Sequence, residues 1–361
     1  MHDRADLPTS TQSLRWRIAL AAVIVAAFAL RPEATNRSIT ADSMLRNYAK
    51  FSGADLRRIA TGEVVAKPLD AADDEVAIGA AVRIRVPAAF YIERFRAIDT
   101  FKRDEAVLQV SRFGDQPSPS DMASLQLARR ELDDLRACRA DGCRIKLDAS
   151  GLSRFASMRE AQATDQQVSA AFTDHLATYS ARYIAAGNEQ LIEYRDREQP
   201  SSLLVRLSDI MRCSEYLADG LPSLAAAIGA FNGPLPAGVE DFLYWSHDMV
   251  GTRPVVSITH SLITAPQDGV TAVATKQIYA SHFFTASLGL TVLIETPDAT
   301  VPETLVIYIN RSRVDLFEGL LAGAKRSIVR SRARSATARI LRDVKSRLED
   351  EFGRTSTKRI P

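Results

Sequence analysis

After the Gly/Pro-rich joint "FNGPLPAG" (231–238) the hydrophobic period of the chain changes, and that change constrains its fold most. Before the joint, apolar residues recur at helical spacing. Val168, Phe172, His175/Leu176, Tyr179 and Tyr183 mark one stripe, and Leu203, Leu207, Ile210 and Leu217 another, so residues 152–231 read as mostly helical. After it, "DFLYWSH", "RPVVSITHSLIT", "VTAVATKQIYASHFFTASLGLTVLIE" and "ETLVIYINRSRVD" read as four or five consecutive strands, with turns at Pro254, Asp268-Gly269 and Pro297-Asp298. A long helix from about Leu316 to Phe352 follows. Asp315 and Glu318 open it in capping-box fashion, and Leu320, Ala324, Ile328, Ile340, Val344 and Leu348 are expected to face one way. Antiparallel strands closed by one amphipathic helix predict an α+β domain, with a curved antiparallel sheet packed on the long C-terminal helix and a large helical insertion.

The front of the chain supplies more of the same sheet. "EVAIGAAVRIRVP" (75–87) reads as a strand, Pro87 opens a helix carrying Tyr91, Phe95 and Ile98, and "AVLQVSRF" (106–113) reads as a second strand. Ser118 and Asp121 signal a helix reaching about Arg136, followed by a cysteine loop and a short strand, "RIKLDA". The expected organisation is a signal peptide at 1–29, a linker and short helix at 30–74, an α+β domain at 75–352 with the insertion at 152–231, and a tail at 353–361.

The N-terminus sets the compartment. Arg15 and Arg17 precede "IALAAVIVAAFAL", 13 uncharged residues from Ile18 to Leu30. A bilayer-spanning helix needs about 20 apolar residues, whereas this length and its basic flank fit a signal peptide, with Ala27-Phe28-Ala29 as a small-x-small cleavage site. The bulk of the chain is therefore expected in an exported, periplasmic location, or membrane-anchored if the segment is not cleaved.

Export bears on "ACRADGCRIKL" (137–147), where Cys138 and Cys143 flank a glycine-containing loop. Disulfides persist in oxidising compartments. A structural zinc would need four ligands, no His lies near the pair, and the redox spacing Cys-x-x-Cys is absent. The pair is expected to form a local disulfide worth about 2 kcal/mol. Cys213, in a helical run, is expected to be a small buried hydrophobe.

The layout of "VRIRVPAAFYIERFRAID" and of the strand set 253–313 followed by "LFEGLLAGAKRSIVRSRARSATARILRDVKSRLE" resembles the START/SRPBCC helix-grip superfamily. That resemblance implies a sheet wrapped around the C-terminal helix, with a groove between them for hydrophobic ligands. The blocks "CRADGC", "YWSH", "KQIYASHFF" and "YINRSRVD" resemble exported bacterial proteins of unassigned function.

No nucleophile elbow, phosphate-binding loop, dinucleotide fingerprint or zinc-protease motif is present, so no catalytic residue, cofactor or metal site is assigned. His247, His260 and His282 lack any fixed metal-ligand spacing. In "VVSITHSLI", alternation places His260 on one face with Val256, Ile258 and Leu262. Either His260 is a hydrogen-bonded core histidine, or it anchors the polar end of a ligand lying against Ile258, Tyr279, Phe283, Tyr308 and the C-terminal helix. Residues 325–361 carry 12 Lys/Arg against 4 Asp/Glu. Lys325, Arg326, Arg330, Arg332 and Arg334 are either a solvated face or a contact for an anionic membrane surface, and export argues against nucleic acid. The expected function is non-catalytic binding of a hydrophobic ligand such as a lipid. The alternatives are an envelope hydrolase using a strand histidine, or an envelope scaffold without ligand.

N-terminal sequencing of the protein from an envelope fraction should begin close to Leu30. Recovery of the intact chain from the cytoplasm would contradict the export expectation.

Overall fold

The structure is a computed structural model. It describes residues 40–139, 142–232, 234–296, 301–315, 317 and 322–357. The expected signal peptide and the Asp315/Glu318 capping box lie wholly or partly outside the described residues.

The chain folds around an eight-stranded antiparallel sheet in the order β1-β2-β10-β9-β8-β7-β6-β3. A short helix α1 (Gly53–Ala60) leads into β1 (Val65–Pro68) and β2 (Glu75–Ile84) at one edge. Pro87 then starts α2 (Ala88–Arg96), α3 (Ile98–Phe101) follows, and β3 (Val107–Arg112) forms the opposite edge. Between β3 and the meander lies a helical layer. It comprises α4 (Arg129–Arg136), α5 (Ala149–Glu160), α6 (Asp165–Ala186), α7 (Leu203–Arg212), α8 (Glu215–Gly220) and α9 (Pro222–Gly229), with a two-residue hairpin of β4 (Glu193–Tyr194) and β5 (Ser201–Ser202). Strands β6 (Val239–Val250), β7 (Arg253–Thr264), β8 (Val270–Ala280), β9 (Phe284–Glu295) and β10 (Thr304–Val314) run as a meander, and α10 (Ala322–Thr357) follows.

Because side chains alternate across a pleated strand, each strand feeds two layers. On the back face, Trp245, Ile258, Tyr279, Leu288, Leu290, Ile307 and Ile309 pack against Phe172, Leu176, Tyr183, Leu207, Ile210, Leu224 and Phe231 of the helical layer. On the front face, Val82, Ile84, Phe242, Tyr244, Ile263, Val273, Leu293 and Val306 join Tyr91, Phe95 and Ile98 of α2–α3 with Val344 and Leu348 of α10. The insertion thus forms the back layer, and α2, α3 and α10 pack against the ends of the front face.

Several local expectations change. The Ser118/Asp121 capping box closes only one 3₁₀ turn, Pro119–Met122, and the helix starts later at Arg129. "RIKLDA" is irregular, tied to the sheet by Lys146 N donating to Ser281 O. Cys213 caps the end of α7 and is exposed. Ala324, Ile328 and Ile340 of α10 are also exposed, Ile328 at 53% and Ile340 at 44%, because a helix of 36 residues extends beyond the apolar surface available to it. Its inward residues are Leu341, Val344 and Leu348, with Val329 and Ala333 half-buried further back.

Leu348→Ala should therefore cost about 3 kcal/mol through the cavity it leaves. Ile340→Ala should cost less than about 1 kcal/mol, since little area returns to water. Urea unfolding of the two variants checks the ranking, and equal losses would place both residues in the same environment.

Candidate functional site

Strand register places the front-face residues in rows across the sheet, and the central rows are polar. One row runs Tyr244, Thr259, Gln277, Ser287, Ser312 from β6 to β10. The next runs Phe242, Ser261, Thr275, Gly289, Asn310. A third runs Ile263, Val273, Thr291, Tyr308. Flanking rows return to Leu293 and Val306 on one side and Val76 and Ile78 at the β2 end. Thr275, Gln277, Ser287, Thr291, Tyr308 and Asn310 are only half-buried, although they lie on the inner strands of the sheet. Their back-face neighbours Ala274, Ile278, Leu288, Leu290 and Ile309 are fully buried. Access therefore comes from the front, where α10 packs over β1 and β2 and leaves the middle strands uncovered.

The floor is a hydrogen-bonded surface. Ser287 and Ser312 share a 2.8 Å hydrogen bond, Ser312 Oγ donates to Asn310 Oδ1 at 2.8 Å, and Asn310 Nδ2 donates to Ser287 Oγ at 3.3 Å. Tyr308 shares a hydrogen bond with Asn310, and Tyr244 with Thr259. Burial pushes the Tyr308 phenol up to about 12, so it stays protonated at neutral pH; burial also pushes Tyr244 and Tyr91 upward. Gly289 is where neighbouring side chains close over the backbone, since a Cβ there would sit 2.5 Å from Thr275 Oγ1 and 3.5 Å from the Tyr308 hydroxyl. Among the described residues Ser261 Oγ is buried without a hydrogen-bond partner.

Of the residues singled out in the sequence, Tyr308 lies on this floor. Ile258, His260 and Tyr279 do not: they point to the back face, fully buried beneath the helical layer and away from α10. Both ring nitrogens of His260 are engaged, Nδ1 with the Tyr183 hydroxyl at 2.8 Å and Nε2 with Asp241 Oδ2 at 2.7 Å. Tyr279 donates to Lys146 O. Phe283 sits in the bend between β8 and β9 at a φ of 65°, beside His282. The physical reason is parity: the apolar set that contains His260 is the set the helical layer covers. His247 has Nε2 3.0 Å from Glu131 Oε1, while its Nδ1 is buried without a partner among the described residues. Among the described residues no group of His, Cys, Asp and Glu has the geometry to hold a metal ion.

Cys138 and Cys143 are joined by a disulfide, with Cα atoms 4.2 Å apart, linking the end of α4 to the segment that leads into Lys146. On α10, Arg326 pairs with Asp73 at 2.8 Å and Arg330 reaches the backbone oxygens of Ala71 and Glu75. Lys325, Arg332 and Arg334 are exposed.

The back face holds a charge that sequence reasoning missed. Lys276, next to His260 in its row, is fully buried. Its Nζ donates to Asn188 Oδ1 at 2.8 Å and Ile228 O at 3.2 Å and lies 5.2 Å from the centres of the Tyr183 and Phe231 rings. Its place between apolar positions in "VATKQIY" was the available signal. Burial pushes this amine down to about 7, against the attraction of Asp241, and pushes the His260 imidazole down as well.

No family model and no curated protein sequence matches the chain. Among solved structures, the Zhui aromatase/cyclase from Streptomyces sp. R1128 is similar at 14% identity and a TM-score of 0.23, over 42% of this chain and 86% of that one. A likeness so distant identifies no ligand, and the architecture rests on the strand order and layers described above.

Lys276 generates a stability prediction. In the unfolded chain its amine keeps the ordinary value of 10.5, so between pH 7 and 10.5 the unfolded state holds the extra proton. Stability should rise with pH across that window, by up to about 1.4 kcal/mol per unit, and the burial penalty should be constant below it. Lys276→Met should remove this part of the rise. Urea unfolding of both proteins at several pH values in the window checks it, and parallel profiles would refute the assignment.

Proposed function

We propose that this chain is a binding protein, and that it holds a small amphipathic ligand on the front face of the sheet, alongside α10. The observation that carries the reading is the half-buried polar floor at the centre of the sheet. Polar groups buried there without partners would each cost about 1–3 kcal/mol, which favours a surface that meets water or a polar ligand. A half-buried apolar strip of Phe284, Phe317 and Val329 on Val76, Ile78 and Val314 borders it and suits the apolar part of the same molecule. Concave sites with a few converging polar groups are the usual form of small-molecule pockets. A hydrolase built on His260 finds no support, because that ring is buried with both nitrogens engaged.

Export to the periplasm belongs to the same proposal. The apolar segment behind Arg15 and Arg17 supports it, as does the Cys138–Cys143 disulfide. Arg332 and Arg334 remain exposed for an anionic membrane surface.

Gly289→Val tests the groove. Its side chain would push the Thr275 and Tyr308 hydroxyls out of their places in the floor, so native mass spectrometry should find a co-purifying small molecule on the wild type and at least about tenfold less on the folded variant. His260→Leu should leave occupancy unchanged while destabilising the fold, since it strips Tyr183 and Asp241 of their partner. Equal occupancy of wild type and Gly289→Val, or an empty wild type, would count against the groove.

A further inference from the structure

We propose that the group received by this floor is an uncharged, hydroxyl-rich glycosyl unit; the inference rests on the groove reading above and names its ligand class. The first observation is the absence of charge. Thr259, Gln277, Thr275, Ser287, Asn310 and Tyr308 are all neutral, and the Tyr308 phenol keeps its proton.

The charges at the rim already have partners. Lys102 pairs with Asp248, Arg339 with Asp104, and Glu349 with Arg85 and Lys345. A carboxylate, phosphate or ammonium lowered onto this floor would lose its hydration and gain no counter-charge. A neutral polyol has no such penalty. Hydroxyl and carboxamide side chains both donate and accept, as sugar hydroxyls do, so each pairing can be made in either direction.

The second observation is Ser261, whose buried Oγ lacks a partner in the same row as Thr275 and Gly289. An unsatisfied hydroxyl in the floor's own row, one strand from Thr275, marks where a ligand hydroxyl belongs. Floor positions on neighbouring strands are about 4.8 Å apart, a grid on the scale of the hydroxyls around one sugar ring. The half-exposed ring of Tyr308 offers the flat apolar surface on which the C–H face of a pyranose rests.

Isothermal titration of the full chain with n-octyl glucoside, maltose and sodium decanoate, each below micelle formation, tests this. Octyl glucoside should bind saturably, and Tyr308→Phe and Thr275→Val should each weaken it about three- to tenfold, the loss of one neutral hydrogen bond. Arg332→Ala on the outer face of α10 should leave it unchanged. Both variants are near-isosteric, and an unaltered melting temperature separates lost binding from lost folding. Maltose binding as well would identify free saccharides as the source, and octyl glucoside alone a lipid-borne glycosyl group. Decanoate binding as tightly, with the same dependence on Gly289→Val, would overturn the glycosyl inference and leave the groove standing. Failure of all three probes to bind would remove both.

Discussion

The pleat of the sheet divides β6–β10 into two sets of side chains, and in this protein the two sets do different work. Antiparallel sheets often bury one face and wet the other. Here the back face carries large apolar residues and aromatics, Trp245, Ile258, Tyr279 and Leu290 among them, and it is sealed by α6–α9. The front face is apolar at its ends and polar through its middle, and the helices that cross it leave that middle reachable. A sheet with only the front layer would have to exclude water there in order to be stable. With its main core behind it, the front can afford hydroxyls.

The helical layer therefore matters beyond coverage. Lys276 and His260 stand side by side on the back of the sheet, and Arg311 lies further along the same row. An isolated charge in such a place is among the most costly features a core can hold. Each has a partner: Asn188 and the Ile228 carbonyl for Lys276, Tyr183 and Asp241 for His260, and Glu75 for Arg311. Several of these come from α6 and the segments around α9, so the insertion docks in one register. A one-residue slip of β7 or β8 would move these groups to the front face.

Much of this architecture was legible in the sequence. The five strands after 238, the strand at Glu75–Ile84 and the helix after Pro87 follow from period and punctuation, because both act locally. What periodicity cannot supply is which of the two sets on a strand faces which layer. His260 alternates with Val256, Ile258 and Leu262, and that grouping is correct; its neighbour across the sheet is the insertion because the apolar set is the one most in need of cover. The floor was written in the complementary set, Thr275/Gln277, Ser287/Gly289/Thr291 and Tyr308/Asn310/Ser312. Small polar residues at alternate positions ordinarily read as the solvent side of a strand, and only the strand order shows them gathered at the sheet's centre.

The same comparison explains the basic helix. Its excess of Lys and Arg reads in isolation as a patch awaiting an anionic partner, yet several of those side chains fasten α10 to the fold. Arg326 holds Asp73, Arg330 reaches the Ala71 and Glu75 carbonyls, and Arg339 pairs with Asp104. Lys345 donates to Arg83 O, and Arg347 to Phe101 O. Surface pairs of this kind are worth only about 0–1 kcal/mol each, so the hold comes from their number and from the apolar contacts at Leu341, Val344 and Leu348. Their placement matters more than their strength. Polar fastenings hold the helix over β1 and β2, so that it presses no apolar stripe onto the centre of the sheet. Between its two apolar anchors, the half-buried Thr337 and Ala338 of α10 are correspondingly small. A helix attached in this way borders a polar groove without filling it.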